Sequence, residues 1–158
     1  VMTPVALQRP RPCAVPAEAE CSAMLPGYDF ADAFVVDSPA PIDAPTAVQR
    51  AFARPPAWVR GLMELRNRLV GVAGLRGAPS TGFPVVRSTP RAVWLGFDDK
   101  HLDFRIAVTT ADQGGGTRVV VTTMVRRHNR WGRAYLAAVM PFHRVIAPRM
   151  LGDVARPA

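Results

Sequence analysis

Three polar side chains at alternate positions, His101, Asp103 and Arg105, are the first residues in this chain whose types and spacing suggest chemistry. In extended backbone, positions two apart project from one face, so an imidazole would stand beside a carboxylate, with Asp98 and Asp99 just across a turn. An imidazole and a carboxylate lining a pocket can act as an acid–base pair. On a solvated face the same residues are an ordinary wet edge, with Asp103 and Arg105 as exposed partners, and that is the commoner use of such side chains. His101 and Asp103 are therefore the candidate catalytic residues, and the orientation of one strand decides between the two readings.

A second constellation is basic: Arg126, Arg127, His128, Arg130 and Arg133. These residues precede and open a helix-forming stretch, where the macrodipole disfavours each exposed cation by roughly 0.3–1 kcal/mol. Guanidiniums beside free helix N–H groups make Arg126, Arg127, Arg130 and Arg133 an anion-binding candidate. The alternative is a solvated cluster tolerated because water and salt screen it. The third constellation is Pro141-Phe142-His143-Arg144. Pro141 has no N–H for the Ala137 carbonyl, so a bend is expected there. Such a bend either opens room for a ligand or fits a helix to a curved partner, and His143 is expected at the boundary of the apolar face.

Several catalytic signatures are missing. GAPSTGF has the glycine spacing of a phosphate-binding loop, but Phe83 stands where lysine belongs and a strand pattern follows. No nucleophile elbow, dinucleotide fingerprint or paired His/Glu metal motif is present, so no cofactor and no metal are expected. The two cysteines, Cys13 and Cys21, make neither a disulfide framework nor a metal spacing, which fits a reducing, cytoplasmic setting. The first residues, VMTPVALQRPRPC, lack a continuous apolar core, so no signal peptide is expected, and no uncharged apolar run is long enough to span a bilayer.

The 158 residues are 49% hydrophobic and 20% charged, which describes one globular domain able to bury about 70% of its unfolded surface. The net charge of +8 is concentrated late: from Arg118 onward there are eight arginines and one acid, Asp153. A basic terminal region suits anionic lipid, nucleic acid or an acidic ligand. Arginine outnumbers lysine 19 to one, a skew that genome composition also produces. No nucleic-acid recognition motif is present, and the aromatics fall on expected core faces, so nucleic acid is not the favoured partner.

The elements that must position these groups follow from periodicity. Residues 1–24 read as a Pro-rich irregular arm with a short turn at Ser22–Leu25, residues 25–152 as a single domain, and 153–158 as a tail. Tyr28–Asp37 reads as a strand. A helix over Thr46–Ala53, with Thr46 a possible cap, is followed by an amphipathic helix opening on Pro56 with Trp58, Leu62, Leu65 and Leu69 on one face. Period two then marks strands at Phe83–Ser88, Ala92–Asp98, His101–Thr110 and Thr117–Arg127. In the fourth strand of this reading, Leu102, Phe104, Ile106 and Val108 share a face opposite His101, Asp103, Arg105 and Thr109. The segment Asn129–Leu151 reads as one long helix kinked at Pro141, with Trp131, Tyr135, Ala138, Phe142 and Val145/Ile146 on its apolar face.

A half-buried sheet needs a cover, and the last helix is the element long enough to provide it. The expected fold class is α+β, an antiparallel sheet gripping a long kinked C-terminal helix. The stretches LPGYDFADAF (Leu25–Phe34), PPAWVRGLMELRNRLV (Pro55–Val70), GFDDKHLDFR (Gly96–Arg105) and Met124–Leu151 resemble an uncharacterised bacterial family, domain of unknown function two-eight-six-seven. The order of elements also resembles the START-like, or Bet v 1-like, helix-grip superfamily, with about four strands counted between the paired helices and the last helix where about six are usual. The resemblance implies a non-catalytic module that takes an apolar or amphipathic, lipid-like molecule between sheet and helix. Its lining would come from Trp94, Phe97, Phe104, Tyr135, Val139 and Phe142, with an anionic head on the arginine cluster. Two alternatives stand beside it: a cyclase- or hydrolase-type enzyme using His101 and Asp103, and a peripheral protein touching anionic membrane or an acidic partner through its basic helix.

Overall fold

The computed structural model describes residues 9–52, 57, 60, 61, 64, 84–98 and 101–155. Six strands form one antiparallel sheet: β1 (Arg11–Cys13), β2 (Phe30–Ser38), β3 (Val85–Ser88), β4 (Ala92–Asp98), β5 (Leu102–Asp112) and β6 (Thr117–Arg127). Their spatial order is β1-β2-β6-β5-β4-β3. The two longest strands, β5 and β6, pair from Leu102↔Arg127 to Asp112↔Thr117, and β2 pairs with the other edge of β6. The β-branched run Val119-Val120-Val121-Thr122-Thr123 suits this central position, where both neighbours are strands.

Among the described residues the helices with full bounds are α1 (Cys21–Met24), α2 (Ala44–Phe52) and α3 (Arg130–Gly152). α2 is capped by Asp43, whose Oδ1 accepts from the Thr46 amide at 2.8 Å, so the capping residue is Asp43 rather than Thr46. α3 spans 23 residues and remains helical through both Pro141 and Pro148. Its cap is Asn129, whose side chain accepts from the Gly132 amide at 3.1 Å. Most of the expected helix opening on Pro56, including Trp58, Leu62, Leu65 and Leu69, lies outside the described residues.

α2 and α3 cover one face of the sheet. There Phe34 and Val36 of β2, Val108 of β5 and Val119 of β6 pack with Ala47 and Ala51 of α2 and Leu151 of α3. The residues after α3 do not hang free: Asp153–Ala155 form a 3-10 turn, and Val154 and Ala155 join that same core. The opposite face is covered by the N-terminal stretch. Ala19, Cys21 and Leu25 pack on Ala92, Trp94, Ala107 and Met124. The expected irregular arm thus supplies an edge strand, β1, and a lid of short turns for the outer face. Its prolines shorten its elements without preventing burial, because an edge strand tolerates Pro12.

Candidate functional site

Alternation along the strands sorts the candidate residues between the two faces. The inner face, beneath the helices, receives Phe30, Asp32, Phe34 and Val36 from β2, with Phe30 opposite Val125, Asp32 opposite Thr123 and Phe34 opposite Val121 on β6. It also receives Leu102, Phe104, Ile106 and Val108 from β5. Between this face and α3 lies a pocket of about 180 Å³. Phe30, Leu102, Phe104, Ile106, Val121 and Val125 form its sheet wall, and Tyr135, Leu136, Val139, Met140, Phe142 and Ile146 belong to its helix wall. Among the described residues its polar contributors besides Tyr135 are Thr123 and His143.

His143 projects from the middle of α3 toward β2. Its Nε2 lies 3.1 Å from Asp32 Oδ1 and 3.0 Å from Oδ2. Both side chains are largely shielded, at 17% exposure for His143 and 26% for Asp32. The Phe34 ring meets the imidazole edge-on, with centroids 6.3 Å apart. A carboxylate on an inward-facing strand position needs a hydrogen-bonded partner to offset its desolvation, and His143 is that partner. With Nε2–H donating to Asp32, neutral His143 keeps its lone pair on Nδ1, which makes no hydrogen bond among the described residues. An orienting carboxylate and an imidazole with a free acceptor form a unit that can receive a proton or a hydrogen bond at the pocket wall.

Four of the six residues expected to line a ligand site, Phe104, Tyr135, Val139 and Phe142, do line this pocket. Trp94 does not. It sits on the outer face, 2% exposed, and its Nε1 donates to the Ala19 carbonyl at 2.8 Å. The Arg87 guanidinium stacks over its ring at 5.0 Å. Phe97 stands opposite Phe104 in the β4–β5 ladder, and its side chain lies outside the described residues.

The His101–Asp103 pair does not form. His101 Nδ1 instead meets the Asn129 side chain, at 3.0 to 3.2 Å. Asp103 is turned to the outer face and is held by Arg126 and by His128 Nε2, the latter at 3.0 Å. Burial pushes the Asp103 carboxyl upward, but the hydrogen bonds and charges of His128 and Arg126 together outweigh it, and the net shift is downward. Arg105 reaches Asp98 at 2.8 Å across the turn. These three polar side chains are thus each committed to a separate structural contact.

The arginine cluster also divides. Arg126 donates to the Pro26 carbonyl at 2.6 Å as well as to Asp103, and Arg127 pairs with Asp29 at 3.0 Å. Arg130 and Arg133 are exposed on the first turn of α3, beside Trp131, which is 61% exposed. Among the described residues no arginine lines the pocket.

Asp32 and His143 are the residues that sequence reasoning missed. The signal for Asp32 was present: Phe30, Asp32, Phe34 and Val36 share one face at period two, so a charge stands in an apolar row. His143 was placed at a boundary because the aromatics Trp131, Tyr135 and Phe142 set the phase of the helix. The inward face is instead centred on Leu136, Val139/Met140, His143, Ile146/Ala147 and Met150.

The chain belongs to the family described as "Protein of unknown function (DUF2867)", whose profile matches residues 24–150. No curated protein matches the sequence. Among solved structures, the chain is similar to CalU16 from Micromonospora echinospora, at 14% identity and a TM-score of 0.37, over 78% of this chain and 80% of that one. It is also similar to protein Ms6760 from Mycobacterium smegmatis, at 12% identity and a TM-score of 0.33, over 79% of this chain and 88% of that one. Likenesses this distant carry no information on ligand or reaction. Among the described residues no helix is long and apolar enough to cross a membrane.

Proposed function

We propose that this family member is a binding module for a small apolar or amphipathic molecule held between the inner sheet face and α3. The observation that carries this reading is the pocket itself, about 180 Å³ with walls of aliphatic and aromatic side chains. Apolar walls with a few convergent polar groups are the usual make-up of a small-molecule site. The volume is below the roughly 300–1,000 Å³ typical of drug-sized ligands and near the ~150 Å³ of a dry apolar cavity that holds benzene. The ligand is therefore about one ring, or a short branched chain, in size. A reaction at His101 and Asp103 has no support from this geometry, since Asp103 is saturated on the other face of the sheet.

Methionine methyl groups provide the test. Met140 and Met150 line the pocket, whereas Met124 is fully buried on the outer face. With [13C]methyl-methionine protein, addition of p-xylene is expected to shift the Met140 and Met150 signals and leave Met124 in place. Unmoved Met140 and Met150 signals at saturating p-xylene would remove the reading. Native mass spectrometry of freshly purified protein is expected to show a co-purifying small molecule of matching size.

A second reading, peripheral contact with anionic membrane, is favoured by one feature: exposed Trp131 between exposed Arg130 and Arg133. An amphipathic aromatic beside cations suits a headgroup interface. Salt-sensitive co-sedimentation with phosphatidylserine vesicles is the expected result, and no sedimentation at low salt would dismiss it.

A further inference from the structure

Resting on the reading of the pocket as a ligand site, we infer that His143, oriented by Asp32, is its hydrogen-bond acceptor, and that the pocket takes a single-ring-sized apolar molecule carrying one neutral hydroxyl. Three observations converge on this. His143 lines the pocket. Its Nε2 faces both oxygens of Asp32, at 3.0 and 3.1 Å, so Nε2 carries a proton and Nδ1 is the acceptor of the neutral ring. Its Nδ1 has no partner among the described residues, so the imidazole presents one acceptor whose donor must come from solvent or ligand.

The chemistry of the walls selects among ligand classes. A carboxylate or phosphate would bring a second anion to the imidazole that already holds Asp32, and among the described residues no arginine or lysine lines the pocket to offset it. A pure hydrocarbon would fill the volume but leave Nδ1 without a donor once water was displaced, which costs free energy in a shielded site. A neutral hydroxyl on an apolar ring satisfies both walls. The hydroxyl donates to Nδ1, the ring replaces water against Val125, Leu136 and Met140, and the complex carries no net charge beyond that of Asp32. Phenolic hydroxyls suit the position best, because a more acidic O–H is a stronger donor to imidazole.

Among the described residues no nucleophile completes the pair. The described lining residues that bear a hydroxyl are Thr123 and Tyr135, and neither bonds to His143, which pairs with the two Asp32 oxygens. The unit is therefore a polar anchor in the resting protein rather than an acyl-transfer triad.

The test compares matched ligands on the full chain by isothermal titration calorimetry, with p-cresol and p-xylene differing by a hydroxyl in place of a methyl. The wild-type protein is expected to favour p-cresol by about tenfold. That preference is expected to fall to about unity in His143→Phe, which has no acceptor. It is also expected to fall in Asp32→Asn, whose amide can donate to Nε2 and so move the proton to Nδ1. The ratio of the two affinities is the readout, so a change in overall affinity in a variant does not enter. Equal binding of the two ligands by wild type, or a preference that survives in both variants, overturns the inference and leaves the pocket reading standing. Benzoate bound more tightly than p-cresol overturns it in favour of an anion site. Failure of the wild type to bind any of the three overturns both.

Discussion

The two faces of the sheet each carry a histidine paired with an aspartate, and the difference between the pairs shows what makes such a pair available for function. On the outer face Asp103 receives His128 and Arg126, and Arg126 also reaches back to the Pro26 carbonyl. The Asp103 side chain is only 4% exposed, and the partners that surround it are protein groups. On the inner face Asp32 receives His143, no arginine among the described residues joins them, and the imidazole borders a pocket. The residue types are the same. The outer pair ties an N-terminal cover to the sheet, whereas the inner pair belongs to a pocket wall and its second ring nitrogen makes no hydrogen bond among the described residues. Saturation marks the first as structural, and an unused valence marks the second as the candidate site.

Truncating one large buried side chain on each face is the strongest way to sharpen that contrast. Leu151 on the inner side is 1% exposed and borders the pocket, while Met124 on the outer side is fully buried away from it. Leu151→Ala and Met124→Ala are each expected to lower unfolding free energy by about 3 kcal/mol in urea titrations. Only Leu151→Ala is expected to change the affinity for p-xylene, because only it alters the pocket wall. Equal ligand effects from the two would mean that the faces are not functionally distinct.

The ionic pairs come next in size. Asp103→Asn is expected to cost about 2 kcal/mol, less than the 3–5 kcal/mol of a fully buried pair because Arg126 keeps 35% exposure and can rehydrate. Asp32→Asn is expected to cost about 1 kcal/mol at most, since both partners retain contact with the pocket or solvent. The pH dependence follows from the direction of the Asp103 shift. Its carboxyl titrates below its ordinary value of 3.8 in the folded protein. The folded state therefore binds this proton more weakly than the unfolded state does, and the resulting stability is fully present above about pH 4. It is lost as pH falls from there through the folded-state value. Denaturation profiles should show this acid-side loss in wild type and a shallower one in Asp103→Asn. Identical slopes in the two proteins would contradict the assignment.

A third structural contact seats the start of α3 on the chain just before β5. A Cβ placed on Gly132 would collide with the His101 carbonyl oxygen, which already accepts from the His128 amide at 2.9 Å. Gly132→Ala is expected to cost about 2 kcal/mol by thermal unfolding, because the helix must lift from β5 to make room. Wild-type stability in that variant would show that the helix start is not seated as described.

Much of this arrangement was legible in the sequence, and the part that was not has a physical reason. Strand faces were readable because side-chain period two is strict: Leu102, Phe104, Ile106 and Val108 fall on the inner face as the alternation required. The same rule puts Trp94 opposite Ala107 on the outer face, away from the pocket on the inner one. Helix phase was harder. The α3 sequence has apolar residues nearly all round, with Ala134, Ala137 and Ala138 fitting either side, so a few large aromatics dominated the reading. Ion pairing was beyond the sequence, because Asp29, Asp32 and Asp103 meet partners at separations of 98, 111 and 23 residues. The N-terminal cover was hidden by its prolines, which signal irregular backbone but say nothing of burial.

The smallest expected effect probes that helix phase directly. If the inward face of α3 runs through Leu136, Met140, His143 and Ala147, then Trp131 and Val145 lie on the far side, where they are 61% and 53% exposed. Trp131→Ala should then change stability by no more than about 0.5 kcal/mol, the usual range for an exposed position away from a special contact. It should leave p-xylene binding intact and weaken co-sedimentation with phosphatidylserine vesicles. A tryptophan buried against the sheet would instead cost about 3–5 kcal/mol on truncation. These two ranges do not overlap, so one unfolding curve decides which side of α3 faces the sheet. A large loss would rotate the helix, carry His143 away from Asp32, and dissolve the distinction between the two histidine–aspartate pairs.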